Sequence, residues 1–196
     1  MIIGLTGGIA SGKSTVSNYL RELGAFIIDS DKVAHSIIKK DKPAYQKIVK
    51  RFGSSILDKN REINRSRLAR IIFDDYEKKR KLEEITHPYI LDEIYKKMEE
   101  MKDKYRIIIL DAPLLFETGL DRAVDQTWVV YVNREIQLER LIKRDQLSSQ
   151  EGVKRIEAQL SLEKKKEMAD FIIDNNGSIK QLRLMVQKKW RAVNED

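Results

Sequence analysis

There is no cysteine among the 196 residues. Disulfides and thiolate metal sites are therefore excluded, and nothing in the composition points to secretion. The amino terminus has no basic stretch followed by a long apolar one, so no signal peptide is expected. It runs almost at once into the strand-like Ile2-Ile3-Gly4-Leu5-Thr6. No apolar run approaches the ~20 residues that span a bilayer. There is no internal repeat and no low-complexity segment. A cytoplasmic protein without a membrane partner is the expectation.

What is present is 41% hydrophobic residues, enough to build a core, and a formal net charge of +7. Excess Lys and Arg can mean nucleic acid, or simply polyanionic small substrates and solvated helix faces. The runs Lys78 to Lys81, Lys164 to Lys166 and Lys188-Lys189 lie in helical stretches beside Glu or apolar residues. No stacking aromatics are interleaved with them, which favours solvated faces and no nucleic-acid partner. A nucleotide-dependent nucleic-acid-binding module is the alternative from a different class.

Short apolar runs alternate with helical patterns. Ile2 to Thr6, Ala25 to Ile28, Tyr105 to Leu110, Gln126 to Val132 and Phe171 to Ile173 read as five strands. Continuous apolar strands separated by helices imply a parallel sheet covered on both faces, a doubly wound α/β architecture. Lys13 to Leu23 reads as a helix with Val16, Leu20 and Leu23 on one face, ended by Gly24. The span between Ile28 and Tyr105 far exceeds the ~12 residues of a minimal crossover. It carries helical patterns at Lys32 to Lys40, Pro43 to Phe52, Arg65 to Phe73 and Tyr76 to Met101, and so reads as an inserted helical subdomain of about residues 31–103. Ser148 and Glu151 form a capping-box pattern between the helix Glu135 to Asp145 and the next. Residues 140–168 read as a helical lid. The core is then about 1–30, 104–139 and 169–196, in one chain with a single active unit.

Gly7-Gly8-Ile9-Ala10-Ser11-Gly12-Lys13-Ser14 fits G-x-x-x-x-G-K-[ST], with the required strand before it and helix after it. Glycines let backbone N–H groups converge on an anion, and the helix beginning near Gly12 adds its positive end. Gly8, Ile9, Ala10, Ser11, Gly12, Lys13, Ser14 and Thr15 are the expected nucleotide-binding residues. Lys13 suits the β- and γ-phosphates, and the Ser14 hydroxyl suits magnesium.

Two other classes using this loop lack their signatures here. No Asn-Lys-x-Asp guanine-reading segment occurs, and Leu160-Ser161-Leu162-Glu163 lacks the glycines of an ABC-type ATPase. A small chain with a helical insertion and an Arg-bearing flap fits a small-molecule kinase, which needs a lid to keep water from the phosphoryl group. ATP and Mg²⁺ are the expected cofactors. The acceptor stays open on this ground: a nucleoside, nucleotide or sugar would serve.

Further candidates stand at the strand ends. Asp29 and Asp31 follow the second strand, at the sheet edge where ligands bind; one can cap the next helix while the other takes a proton from the acceptor hydroxyl. Asp111 after the third strand suits a metal-holding carboxylate, or a turn residue ahead of Pro113. Arg140 and Arg144 are four apart and share a helix face; Arg140 is the expected phosphate contact, with Arg155 weaker. Trp128 and Trp190 read as core.

Several segments together resemble the dephospho-coenzyme A kinase family. They are Gly4 to Ser14, Ile28-Asp29-Ser30-Asp31, His87-Pro88, Pro113-Leu114-Leu115-Phe116-Glu117 and Ile173-Asp174-Asn175-Asn176-Gly177. They occur in the family's order and span nearly the whole chain. The resemblance implies a P-loop fold with a helical substrate domain and lid, and phosphorylation of the ribose 3′-hydroxyl of dephospho-coenzyme A by ATP. It also implies Asp31 as the base; Lys13 and Arg140, read above from the loop and the helix face, are the other expected catalytic residues. His87, Leu115 and Glu117 fall on the substrate side, although Leu114, Leu115 and Phe116 also suit core packing. Asn175 and Gly177 fall at the adenine; Ser14 and Asp111 are the expected metal residues on the chemistry given above, not on the resemblance. A monomer or weak homo-oligomer is expected.

Overall fold

The computed structural model describes residues 1–73 and 75–195. In chain order its elements are β1 Ile2–Gly7, α1 Lys13–Glu22, β2 Phe26–Asp29, α2 Ser30–Ile37, α3 Pro43–Phe52, α4 Arg65–Ile72 and α5 Tyr76–Met101. They continue with β3 Ile108–Asp111, β4 Gln126–Tyr131, α6 Arg134–Asp145, α7 Ser149–Glu157, α8 Leu162–Glu167, β5 Phe171–Asp174 and α9 Ile179–Glu195. Among the described residues no helix is long and apolar enough to cross a membrane. The chain divides into two compact units, Met1–Ile28 with Glu100–Asp196, and Asp29–Glu99. Residues 140–168 fall in the same unit as the sheet.

The first unit is built on a five-stranded sheet in the order β2-β3-β1-β4-β5. β1 pairs in parallel with β3 and β4, and β4 with β5. Successive strand residues point to opposite faces, and both faces are covered. Ile3, Leu5, Trp128 and Val130 meet Val16 and Leu20 of α1 and Leu182, Val186 and Trp190 of α9. Val129, between Trp128 and Val130, turns the other way onto Leu162 of α8 and Ile136 of α6. Both tryptophans are core residues. β3 starts at Ile108 rather than at Tyr105 because its partner, β1, begins at Ile2, which lies opposite Ile108. The register brings Gly7, Asp111, Tyr131 and Asp174 to one edge of the sheet, the edge that carries the phosphate-binding sequence.

Caps set the helix ends. Gly24 takes φ 103° just past α1, as a C′ glycine does. Ser148 and Glu151 form the complete capping box at the start of α7, with side-chain and backbone bonds in both directions. Gly152 lies where α7 packs on α6; a Cβ there would come within 2.8 Å of Leu138 Cδ1, so a larger residue would have to push that side chain aside.

The second unit is helical. Its core joins Ile48 of α3, Ile56, Ile63 and Leu68 of α4 with Leu82 and Ile85 of α5. α2 begins at Ser30, two residues before the expected start, because the Asp29 carboxylate accepts from Lys32 N at 3.0 Å and so caps the helix. α5 runs through Pro88, which cannot donate to the preceding turn. Thr86 Oγ1 meanwhile donates to Leu82 O at 2.9 Å.

Candidate active site

The phosphate-binding sequence forms the turn between β1 and α1. Gly12 precedes α1 with φ 93° and no side chain caps that helix start. Among the described residues, no acceptor is paired with the N–H groups of Ala10, Gly12, Lys13 and Ser14. These amides and the positive end of α1 form the anion cradle. Its glycines are required from behind as well. A Cβ on Gly7 would lie 2.5 Å from Ser11 Oγ and 2.9 Å from Val130 O, and one on Gly8 would lie 2.6 Å from Gln137 Nε2. A Cβ on Gly12 would strike Asn175 Nδ2. Ser11 Oγ is buried without a hydrogen-bond partner.

Ile9 departs from the expected role of nucleotide contact. Its N–H donates to Gln159 Oε1 at 3.0 Å, and its carbonyl accepts from Gln137 Nε2 at 2.8 Å. Both polar backbone groups are thus committed to protein. Asn175 also has a role beyond a turn: it is buried, and its Nδ2 donates to Ser11 O at 2.7 Å. Three side-chain amides therefore brace the loop from behind. The sequence reading missed both glutamines. The available signal for Gln137 was its spacing of four from Leu141 on the buried face of α6.

At the mouth of the loop the Lys13 ammonium contacts the Asp111 carboxylate, the last group of β3. Asp111 belongs to the strand rather than to the turn after it, opposite Leu5. Ser14 and Thr15 are exposed on the first turn of α1. The described residues contain no cluster of three or more His, Cys, Asp or Glu side chains suited to a metal. One hydroxyl and one carboxylate beside a phosphate cradle are nonetheless the hard oxygen donors that fit magnesium, which keeps most of its waters and takes its other ligands from phosphates.

The three arginines expected near the phosphates, Arg140, Arg144 and Arg155, do not meet at one point: Arg140 turns to Asn175, and the other two share Asp145. Arg140 Nη2 donates to Asn175 O at 3.1 Å, which links it to the residue bracing Ser11. Arg144 makes a two-pronged contact with Asp145 at 2.7 and 3.1 Å, and Arg155 reaches the same carboxylate at 2.9 Å. The Arg144 hydrogen bonds hold the Asp145 carboxyl below its usual range.

The loop after β3 divides its residues. Leu115 has 0% exposure and lies against Gly4 beneath β1, so it offers no surface to a ligand. It is a core residue rather than the substrate contact expected there, whereas its neighbour Leu114 is 43% exposed. Phe116 packs on the Val129 cluster. Glu117 is held by Lys165 at 2.8 Å and by Leu160 N at 3.2 Å. Lys165 overturns the reading of Lys164 to Lys166 as a solvated run: its side chain is wholly buried and also donates to Pro113 O at 2.7 Å. Burial pushes its ammonium pKa down, against the opposing pull of Glu117. Only its spacing of three from buried Leu162 hinted at this in the sequence.

In the helical unit, Asp31 is exposed in the first turn of α2, and none of the hydrogen bonds or ion pairs among the described residues involves its carboxylate. It stands on the wall of a cavity of about 610 Å³ with His35, Arg65, Ser66, Leu68 and Thr86. His87 is half-buried in α5 and is not part of that lining; Leu82, Glu83, Thr86 and Ile90 represent its helix there. Gly177 sits at the turn before α9, where a Cβ would strike Gln181 Oε1.

A model of the dephospho-CoA kinase family matches residues 1–181. A dephospho-CoA kinase from Carboxydothermus hydrogenoformans is 49% identical over 194 residues, 97% of this chain and 94% of the relative. Among solved structures, a dephospho-CoA kinase from Campylobacter jejuni is 32% identical with a TM-score of 0.77, covering 99% of this chain and 97% of its own. A Thermus thermophilus protein is 29% identical with a TM-score of 0.82, covering 98% and 97%.

Proposed function

The chain belongs to the dephospho-CoA kinase family, and on that premise we infer that it transfers the γ-phosphoryl group of ATP to the ribose 3′-hydroxyl of dephospho-coenzyme A, giving coenzyme A and ADP. The observation that carries this reading is the braced loop with its open amides facing the Lys13–Asp111 pair. A loose phosphoryl-transfer transition state asks for positioning and charge stabilisation more than covalent chemistry.

Lys13 leaves Asp111 for the β- and γ-phosphate oxygens and stabilises the charge that develops on them. Ser14 and Asp111 hold magnesium, which neutralises phosphate charge when bound. Asp31 accepts the proton of the 3′-hydroxyl. Support for choosing it over Asp29 is that Asp29 is occupied in capping α2, whereas the Asp31 carboxylate is exposed on a cavity wall. That cavity is of ligand size and mostly apolar, with Arg65 and His35 available to polar groups, so it takes part of the acceptor. Leu114, His87 and Glu117 serve the acceptor, Arg140 the phosphates, and the Asn175–Gly177 turn the adenine. The protein works in the cytoplasm, where ATP is available, as a monomer or weak homo-oligomer, with residues 140–168 as its lid.

The test is a coupled ADP-release assay with ATP, magnesium and a panel of acceptors. Dephospho-coenzyme A should turn over fastest, giving coenzyme A. Faster turnover of nucleoside monophosphates, shikimate or gluconate would overturn the assignment.

A further inference from the structure

The most constrained part of the phosphate loop is the pair of peptide units around Ile9. Gln159 accepts from one of them and Gln137 donates to the other. The next residue, Ala10, is a non-glycine held at φ 59°, in the left-handed region. Such a backbone is unfavourable for a residue that carries a side chain and persists only where its surroundings over-determine it. The two glutamines supply that determination, since turning either peptide would leave a part-buried amide or carbonyl without its partner.

The two amides come from different places. Gln137 is buried on α6, the helix that follows β4. Gln159 comes from the connection between α7 and α8, which is itself tethered to the loop after β3. Leu160 N donates to Glu117, and Lys165 binds both Glu117 and Pro113 O. The connection therefore spans from Ile9 on one side to Glu117 on the other. Both glutamines also line a cavity of about 250 Å³ with Ser161 and Leu162, so neither amide is fixed by packing on all sides. Their hydrogen bonds to Ile9 decide where they point.

We propose that Gln159 and Gln137 are positioning residues for the nucleotide. Together they clamp the Ile9 peptides and hold the neighbouring Ala10 amide open to phosphate, and Gln159 makes nucleotide affinity depend on the placement of the α7–α8 connection. The proposal rests on the reading of this loop as the ATP site. Neither glutamine touches the phosphates; each acts through the backbone of Ile9.

The experiment compares wild type, Gln159→Met, Gln137→Met and the double variant. ADP binding is measured by calorimetry without acceptor, and KM for ATP and for dephospho-coenzyme A in turnover. Methionine matches glutamine in length but has no amide. Each single change should weaken ADP and raise KM for ATP by about 10-fold, the scale of one lost hydrogen bond that organises a site. KM for dephospho-coenzyme A should stay within about twofold. Because both side chains act on one pair of peptides, the double variant should lose less than the product of the single effects. Unchanged ADP affinity in Gln159→Met overturns the proposal, as do equal rises in KM for the two substrates or strictly multiplicative losses. If Gln137→Met does not fold, Gln159→Met alone decides, since Gln159 is only half-buried. Wild type that binds ADP yet fails to phosphorylate dephospho-coenzyme A would sink the function above; the calorimetric comparison would still read the clamp.

Discussion

The Lys13 ammonium donates to the Asp111 carboxylate, joining the first residue of α1 to the last residue of β3. The two charges neutralise each other where an anionic nucleotide is to bind, so ATP must compete with Asp111 for Lys13. Lys13→Ala should lower turnover by at least ~100-fold, the scale of losing a strong electrostatic contact in the transition state. Asp111→Asn separates two roles. With chelator present it should tighten ATP binding by up to about 10-fold, because a carboxylate close to the phosphates is gone. If Asp111 holds magnesium, turnover with the metal present should slow, because that oxygen has lost its charge. Full turnover of Asp111→Asn at saturating magnesium would leave Asp111 as a partner of Lys13 alone.

Arg140 reaches the nucleotide site through Asn175, whose carbonyl it binds while the Asn175 amide holds Ser11. Arg140→Ala should reduce turnover with helical content by circular dichroism unchanged. If Arg140 also grips phosphate oxygens, Arg140→Lys should rescue only in part, since an ammonium cannot make the planar two-pronged contact of a guanidinium. Complete rescue by lysine, or no effect of either change, would return Arg140 to the surface.

What could be read in the sequence was local. The spacing of Gly7, Gly12 and Lys13 lies within one turn and one helix start, and the strand runs announce themselves because both faces are buried. Ser148 and Glu151 sit three apart and cap α7 as their pattern says. The bracing of the loop was not legible. Gln137 and Asn175 lie 128 and 164 residues from the carbonyls they bind, so no sequence window contains a donor and its acceptor together. Lys165 was hidden by its neighbours, since a run of three lysines reads as solvated unless one falls on the buried face. Leu115 shows the opposite failure: an apolar residue in a loop suits a pocket and a core equally well, and only the close approach of Gly4 decides for the core.

The Lys165–Glu117 pair makes stability depend on pH in a predictable direction. Burial lowers the Lys165 pKa from its ordinary 10.5, while the hydrogen bond and charge of Glu117 pull it back up. Between the lowered folded value and 10.5 the unfolded chain binds more protons, so this lysine makes stability rise with pH across that window. Glu117→Gln removes the opposing pull, so the window should extend to lower pH. The variant should lose about 3 kcal/mol near neutrality, as a buried charge left without its partner does. The loss relative to wild type should shrink as pH rises from 7 to 10, measured by urea unfolding. Parallel stability curves for the two proteins would show that Lys165 is not charged in its buried place.

Asp29 and Asp31 stand two residues apart but in different surroundings, and their variants should behave differently. The Asp29 side chain accepts from Lys32 N as the cap of α2. Asparagine caps about as well as aspartate, so Asp29→Asn should leave that cap in place, whereas Asp29→Ala should cost about 1 kcal/mol. The Asp31 carboxylate caps nothing and lies exposed on the cavity wall. Asp31→Asn keeps shape and hydrogen bonding yet cannot take a proton. If Asp31 is the base, turnover at saturating substrates should fall by ~100-fold or more. Affinity for ATP should change little, because the phosphate loop is untouched. A loose transition state relies on positioning of the hydroxyl as well as on its deprotonation. Loss of turnover in Asp29→Asn with normal turnover in Asp31→Asn would exchange the two assignments.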